Sequence, residues 1–136
     1  LKKFGYGSEP LFAKVRAYFE TTGPPEADNF YGYPQLVYLK YCAETAHEQK
    51  RLEAMKAGLP TIAGKHKDHF PFFSRYWFAG FEYLPDILQK AEAEYCLETL
   101  KQNNGLPNPY PKLPWWEPIF TLDAMILLKK LGYSAY

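Results

Sequence analysis

The sequence predicts an all-α protein, an irregular bundle of four to five helices with proline-rich connecting loops, in which residues 1–136 form a single helical domain. Apolar residues recur at helical spacing in several long segments, and no stretch shows the apolar–polar alternation of a strand. Clusters of glycine, proline and asparagine separate these segments. A chain of 136 residues with 47% hydrophobic and 23% charged residues has the size and composition of one globular domain.

The first predicted helix begins near Ser8, which can cap it, and carries Glu9 and Pro10 in its first turn. The apolar residues that follow at helical spacing are Leu11, Phe12, Val15, Tyr18 and Phe19. Gly23 and the proline pair at 24–25 end this helix.

The second predicted helix is the longest and covers about residues 34–57. Its apolar face consists of Leu36, Leu39, Cys42, Ala43 and Ala46. The apolar pattern then weakens, and the pair formed by Glu48 and Arg51 is typical of a solvated helix extension. Gly58 and Pro60 are expected to end the helix.

The carboxyl-terminal half contains two further periodic segments. Pro85 starts a helix that runs to about Gln102. Residues 106–118 contain five prolines and two tryptophans, which predicts an extended strap rather than a helix. Pro118 then opens a last helix that ends at about Leu131 and is apolar on nearly every side.

Aromatic residues are unusually frequent, at 18% of the chain, and they concentrate in one segment. Eight of the fifteen residues in 70–84 are aromatic. If this segment is a helix, only a narrow strip holding Arg75, Ala79 and Glu82 is left without large apolar side chains. A helix that is apolar nearly all round must be buried on every side. Because the last helix makes the same demand, the sequence indicates more apolar surface than a small core can bury.

Three environments could bury the aromatic segment: the chain's own core, other protein subunits, or the edge of a lipid bilayer. We favour other subunits. The residues expected to bind a partner are Phe72, Phe73, Tyr76, Trp77, Phe78, Phe81, Trp115 and Trp116. The two tryptophans could equally belong to a loop that folds over the chain's own core.

Cations beside the aromatic residues are candidates for contact with phospholipid headgroups, and these are Lys65, Lys67 and Arg75. For Arg75, an ion pair with Glu82 or Asp86 is the preferred alternative. As a helix the aromatic segment would span only about 22 Å, which is too short to cross a bilayer. No run of about 20 apolar residues occurs elsewhere, so a transmembrane helix is not expected.

Candidate catalytic and metal-binding residues are sparse. Glu44 and His47 form half of a di-iron pattern that lacks its second half, and the set of His66, Asp68 and His69 offers too few ligands beside two lysines. Since no nucleophile motif or phosphate-binding loop is present, we expect no enzyme activity, no cofactor and no metal. A net charge of +1 without a basic run argues against nucleic-acid binding.

The cysteines and the first residue bear on the cellular compartment. Cys42 and Cys96 could form one disulfide, but two buried thiols are the preferred interpretation. The chain starts at Leu1 rather than methionine, either because the sequence was trimmed artificially or because a targeting peptide was removed; we favour removal, which fits import into mitochondria.

These observations predict a non-catalytic structural or accessory subunit of a larger multiprotein assembly. The expected setting is a mitochondrial inner-membrane energy-transducing complex, such as a respiratory complex or ATP synthase, with which the chain associates without its own transmembrane helix. Its partners would be other protein subunits, with peripheral phospholipid contact and no nucleic acid. One alternative is a soluble helical binding module of the inhibitor or immunity type, and a second is an enzyme whose site carries no known motif.

Overall fold

A computed structural model describes residues 8–22, 30–75 and 77–133, and every regular element in these ranges is helical. The α-helices are α1 (Glu9–Thr22), α2 (Tyr33–Cys42), α3 (Ala46–Lys65), α4 (Phe78–Phe81), α5 (Asp86–Asn103) and α6 (Trp116–Lys130). Three 3-10 turns cover Phe30–Gly32, Lys67–His69 and Pro71–Phe73. The prediction of an all-α fold is therefore confirmed.

The long helix predicted for residues 34–57 is divided in two, which raises the number of helices above the expected four to five. Thr45 starts α3 with a capping box. The backbone N–H of Glu48 donates to Thr45 Oγ1 at 3.1 Å, and the backbone N–H of Thr45 donates to the Glu48 carboxylate at 3.0 Å. The reciprocal bonds stabilise a new helix start only three residues after α2 ends.

The predicted end of this segment was also wrong, because α3 continues through Gly58 and Pro60 to Lys65. Leu59 and Ile62, on either side of the proline, are both buried in the core. We attribute the continuation to this packing, which offsets the hydrogen bond that proline removes from a helix interior.

The aromatic segment is not a continuous helix. Phe70 adopts a left-handed backbone conformation with a φ of 46°, a single 3-10 turn follows, and α4 is only four residues long. The segment is therefore broken into short turns, and Phe72, Phe73 and Trp77 point into the interior with at most 1% of their surface exposed. The helical-wheel estimate of surplus apolar surface was wrong for this segment, because it assumed a straight helix.

The 3-10 turn Pro71–Phe73 lies at the centre of the molecule, where it contacts α3, α4 and α6. Phe73 packs edge-on against Phe81 with ring centroids 5.5 Å apart, and Phe72 packs edge-on against Trp77. The core is thus built around the aromatic residues, with leucines of α2, α3 and α5 surrounding them.

Gly80 lets α4 lie close against α2 and α3. A Cβ atom at this position would stand 2.9 Å from Leu36 Cδ2 and 3.3 Å from Leu59 Cδ2, and both leucines are fully buried. We expect Gly80→Ala to lower the free energy of unfolding by about 1–3 kcal/mol through overpacking. The control is Gly64→Ala in α3, where a Cβ would meet nothing within 4 Å. Equal effects of the two changes in urea denaturation would contradict this tight approach.

The segment predicted as an extended strap, 106–118, is folded into turns. Leu106 is buried, and its backbone N–H donates to Thr121 Oγ1 at 3.0 Å. The side-chain amide of Asn108 donates to the carbonyl oxygen of Leu113 at 2.8 Å. Helix α6 starts at Trp116, two residues before the predicted start.

Helix α6 lies at the surface beside α5 and the central 3-10 turn. The side chains that pack it into the core are Phe120, Ala124, Leu127 and Leu128. Of the helices in the described part of the chain, none has both the length and the apolar character needed to cross a membrane.

Candidate partner-binding surface

The side of α6 that faces solvent is apolar. Trp115, which has helical backbone angles just before the helix, is 60% exposed, Leu122 is 58% exposed and Ile126 is 45% exposed. Together with the half-buried Ile119, they fall within a strip about 60° wide at 100° per residue. We call these four residues the α6 face.

Two exposed cations and one paired carboxylate flank this strip within α6. Lys129 and Lys130 are exposed, and they lie at the two edges of the strip at the carboxyl-terminal end of the helix. Asp123 lies to one side, where it is engaged by Arg75 through Nε at 2.9 Å and a second guanidinium nitrogen at 3.0 Å. The α6 face is therefore an apolar strip with positive charge at one end.

Other large apolar side chains are exposed in the described residues. Leu11 and Tyr18 lie on one side of α1 with the half-buried Val15 between them, whereas Tyr31, Tyr41 and Ile87 are on other elements. Ile87 on α5 is 79% exposed, yet its neighbours Asp86 and Lys90 are exposed charged residues. Isolated exposed apolar residues are normal on soluble proteins, whereas a contiguous set marks a site of interaction. The α6 face is the longer of the two strips, because it extends over about three turns of α6, whereas the strip on α1 extends over about two.

An aromatic cleft adjoins the α6 face on one flank of the helix. Its volume is about 230 Å³, and it is lined by Tyr31, Tyr33, Ser74, Tyr110, Leu113, Trp116 and Phe120. Trp116 and Phe120 stand edge-to-face within it, at 5.7 Å between ring centroids. The Ser74 hydroxyl donates to the carbonyl of Pro71 at 2.8 Å. The side-chain polar groups of this cleft are thus three phenols, one hydroxyl and the indole N–H of Trp116, and none of its lining residues is a carboxylate, an amine or an imidazole.

The aromatic residues expected to bind a partner separate into two groups. Phe72, Phe73, Trp77 and Phe81 fill the chain's own core, so a partner cannot reach them in this fold. Phe78 is half-buried and stacks on Phe81. Of the remaining residues expected to bind a partner, Trp115 is exposed and Trp116 lines the aromatic cleft. Tyr76 lies outside the described residues.

The three cations considered for phospholipid contact are all exposed, but only two lie near one another along the chain. Lys65 ends α3 and Lys67 begins the following 3-10 turn, with its Nζ 4.0 Å from the centroid of the Tyr95 ring. Arg75 pairs with Asp123 rather than with Glu82 or Asp86. The expected pairing failed because residues 75 to 82 do not form one helix.

No protein-family model, no curated protein and no solved structure matches this chain.

Glu48 is the most highly connected buried charge among the described residues. It is only 3% exposed and accepts hydrogen bonds from Arg16 Nε at 2.7 Å and from the Tyr38 hydroxyl at 2.8 Å, besides those from backbone N–H groups. Burial raises the pKa of this carboxyl, but the hydrogen bonds from Arg16, the Thr45 backbone and Tyr38 outweigh it and lower the pKa to about 2. Burial and the bond to Glu48 raise the pKa of Tyr38 to about 12.

The interpretation of Glu48 and Arg51 as a solvated pair was therefore wrong. Arg51 is buried as well and donates to Gln35 at 3.1 Å instead. The Glu48 network joins α1, α2 and α3, and Arg16 is the contribution of α1, in which no described residue is buried. The Glu48 network therefore holds these three helices together.

A second group of titratable side chains lies between α5 and the 3-10 turn Lys67–His69. Burial raises the pKa of Glu92, and the charge of Lys67 offsets part of this. Burial, reinforced by the charge of Glu92, raises the pKa of the Cys96 thiol to about 12. Tyr95 donates from its hydroxyl to Asp68 at 3.0 Å. The Cys96 thiol is thus poorly suited to act as a nucleophile.

Both cysteines are free thiols, and they differ in accessibility. We expect a maleimide to modify the half-buried Cys42 in the native protein and to leave Cys96 unmodified until the chain unfolds, because burial disfavours the reactive thiolate. Peptide mass spectrometry before and after denaturation measures both sites. Native-state modification of Cys96 at the rate seen for Cys42 would contradict the buried placement.

The sequence pairs considered for metal binding are not gathered into larger sets. Within the ranges that the structure covers, no group of three or more His, Cys, Asp or Glu side chains is placed to hold a metal ion. The rings of His66 and His69 stand 5.8 Å apart, while Asp68 accepts from Tyr95 and Glu44 pairs with Arg16.

Proposed function

We propose that this chain is a non-catalytic accessory subunit of a larger multiprotein assembly, to which it attaches through the α6 face. The observation that supports this most strongly is the exposure of Trp115, Leu122 and Ile126 along one side of α6. Apolar surface costs about 25 cal/mol per Å² when left in water, so a contiguous strip of this kind is stabilised by a covering molecule.

The chemistry of the exposed surfaces favours binding over catalysis. The α6 face offers no acid, base or nucleophile, and the adjoining cleft offers tyrosines and a serine whose hydroxyl is engaged by a backbone carbonyl. Trp115 on the α6 face and Trp116 in the cleft are the kind of residue that dominates binding energy at protein interfaces. Two adjoining apolar surfaces would let neighbouring subunits contact both flanks of α6.

The proposed setting is a mitochondrial inner-membrane energy-transducing complex, such as a respiratory complex or ATP synthase. Peripheral contact with phospholipid is assigned to Lys65 and Lys67, because both are exposed at the end of α3, where their ammonium groups can meet phosphate. Subcellular fractionation tests this setting. The protein should follow the inner-membrane fraction and be released by alkaline carbonate, and recovery in another compartment would overturn the location while leaving attachment through α6 intact.

The accessory role is tested by the native size of the protein in a mild detergent extract of its own cells. We expect it to elute with an assembly much larger than the 15.8 kDa chain. The double change Leu122→Glu and Ile126→Glu should shift it to low mass, because each carboxylate would be buried without a partner. The matched control is Ile87→Glu, an exposed isoleucine outside the α6 face, which should not change the elution. A wild-type protein that elutes at the mass of the chain would overturn the proposal.

A further inference from the structure

We propose that the aromatic cleft beside α6 binds a quaternary ammonium group of the choline type. This goes beyond the proposed function, because the cleft receives a ligand of its own whatever molecule covers the α6 face. The group would come from free choline or from the headgroup of phosphatidylcholine, which share the same trimethylammonium end. The size, the opening, the walls and the charges of the cleft support the proposal.

The size of the cleft suits a small and compact group. Its volume is about 230 Å³. Pockets for drug-sized ligands are larger, at about 300–1,000 Å³, so the ligand is a small molecule or the end of a larger one. A trimethylammonium group meets this condition, because its three methyl groups surround one nitrogen in a nearly spherical arrangement.

The cleft is accessible from solvent along one side. Tyr31 is 75% exposed and forms the outer wall, whereas Phe120 is only 6% exposed and lies at the floor. A ligand can therefore enter past Tyr31 without opening the core.

The walls of the cleft are aromatic rings that are inclined to one another. Five of its seven lining residues are aromatic, namely Tyr31, Tyr33, Tyr110, Trp116 and Phe120. The ring of Phe120 makes an angle of 61° with that of Trp116 and of 44° with that of Tyr110. Parallel rings would favour a flat ligand stacked between them, whereas inclined rings contact a rounded group from several sides. Aromatic cages that recognise choline and methylated ammonium groups are built from such rings.

The polar groups of the cleft favour a quaternary ammonium over other charged groups. Its lining residues include no amine, guanidinium or imidazole that would attract an anion, and no carboxylate. A primary ammonium group is strongly hydrated and needs acceptors for its N–H groups once it leaves water. A quaternary ammonium has no N–H group, so it needs no acceptor, and the negative faces of the rings attract its charge.

The ion pair between Asp123 and Arg75 lies on the same flank of α6 as the cleft. Asp123 follows Phe120 by three residues and Trp116 by seven, which is about two helical turns. The side chain of Asp123 is 17% exposed, whereas that of Arg75 is 58% exposed. Because water screens the exposed guanidinium more than the carboxylate, the potential on this flank favours a cation.

Titration of the purified chain with choline chloride, followed by nuclear magnetic resonance, tests the ligand. We expect a dissociation constant on the order of 1 mM, as several cation–π contacts would give. The matched probe is the neutral carbon isostere of choline, in which a tert-butyl group replaces the trimethylammonium group, and it should bind at least about tenfold more weakly. Sodium chloride at equal concentration controls for ionic strength. Equal affinity for choline and its isostere, or no choline binding at tens of millimolar, would overturn the proposal.

Substitution of the two neighbouring tryptophans tests the site. Trp116→Leu removes a wall of the cleft and should weaken choline binding about tenfold, whereas the matched control Trp115→Leu changes an exposed indole outside the cleft and should not affect it. Circular dichroism checks that both variants fold. Tyr31→Leu is the second variant, because it changes the exposed outer wall and leaves the core intact. Equal choline affinity in Trp116→Leu and Trp115→Leu would place the cation elsewhere and overturn the proposal.

The source of the group is decided with phosphocholine, phosphoethanolamine and vesicles of phosphatidylcholine. Phosphocholine should bind and phosphoethanolamine should not, since the latter carries a primary ammonium, and equal binding of the two would contradict the selection of a quaternary group. Sedimentation with the vesicles that Trp116→Leu abolishes would identify the lipid headgroup as the ligand. Choline binding without such sedimentation would identify free choline.

The outcomes separate this proposal from the accessory role. A chain that elutes with a large assembly but does not bind choline would overturn the cleft ligand and retain the accessory subunit. A chain that binds choline but elutes at its own mass would retain the cleft ligand and overturn the accessory subunit.

Discussion

Replacing Trp77 by alanine is expected to lower the free energy of unfolding by about 3–5 kcal/mol. The indole is 1% exposed and packs edge-on against Phe72 and Tyr33, so its removal leaves a large cavity at the centre of the core. Since small domains have a total stability of about 5–15 kcal/mol, the variant should be close to unfolding at room temperature. Urea denaturation followed by far-ultraviolet circular dichroism measures the loss.

Trp115→Ala is the matched control, because the same side chain is removed from a site that is 60% exposed. Its effect on the isolated chain should stay within about 0.5 kcal/mol. If the two substitutions changed stability equally, Trp77 would not be a core residue. That result would again support the prediction that this aromatic segment binds a partner.

Replacing Glu48 by alanine is expected to lower the free energy of unfolding by about 3 kcal/mol at neutral pH. The pKa of its carboxyl is about 2 in the folded protein and 4.5 in an unperturbed glutamate. At about 1.4 kcal/mol per pKa unit, this difference gives the expected loss. The change also leaves the buried Tyr38 hydroxyl without its acceptor and loosens the attachment of α1 through Arg16.

The Glu48 carboxyl also makes the free energy of unfolding depend on pH. Because folding lowers the pKa of Glu48, its contribution to stability is complete above about pH 4.5 and is lost as the pH falls towards about 2. In Glu48→Gln, which keeps the shape without the ionisable group, this part of the pH dependence should be absent. Identical pH profiles for the wild type and Glu48→Gln between pH 2 and 5 would contradict the assigned network.

Much of the fold could be predicted from local sequence, because helix boundaries set by glycine, proline and asparagine depend on nearby residues. The end of α5 near residue 102 is one example. The break before α3 was missed although Thr45 and Glu48 carry the spacing of a capping box, since an apolar pattern continued across it. The passage of α3 through Pro60 could not be predicted locally, because packing in the core decides it.

The aromatic segment shows why the sequence alone could not predict how much apolar surface the core buries and how much stays exposed. A helical wheel spreads side chains around a straight axis, whereas the turns from Phe70 onwards break the helix and leave Phe72, Phe73 and Trp77 all buried in the core. Broken in this way, a short segment buries more rings than a straight helix of the same length.

The α6 face was only partly foreseen. The sequence indicated that the last helix is apolar on nearly every side, but periodicity cannot tell which side of such a helix meets the core. The contacts of α6 with α5 and with the central 3-10 turn decide this, and they leave Leu122 and Ile126 towards solvent. Lys129 and Lys130 could have indicated which side of α6 faces solvent, since charged residues at the end of a helix usually point outward.

The most direct test of whether the α6 face is covered is its accessibility in native extracts. In a Cys42→Ser background, single cysteines at Ile126 and at Ile87 report on the α6 face and on an exposed site outside it. We expect maleimide to modify position 87 rapidly and position 126 only after the extract is denatured, because another subunit covers the face. Equally rapid modification of both positions in the native extract would contradict the account.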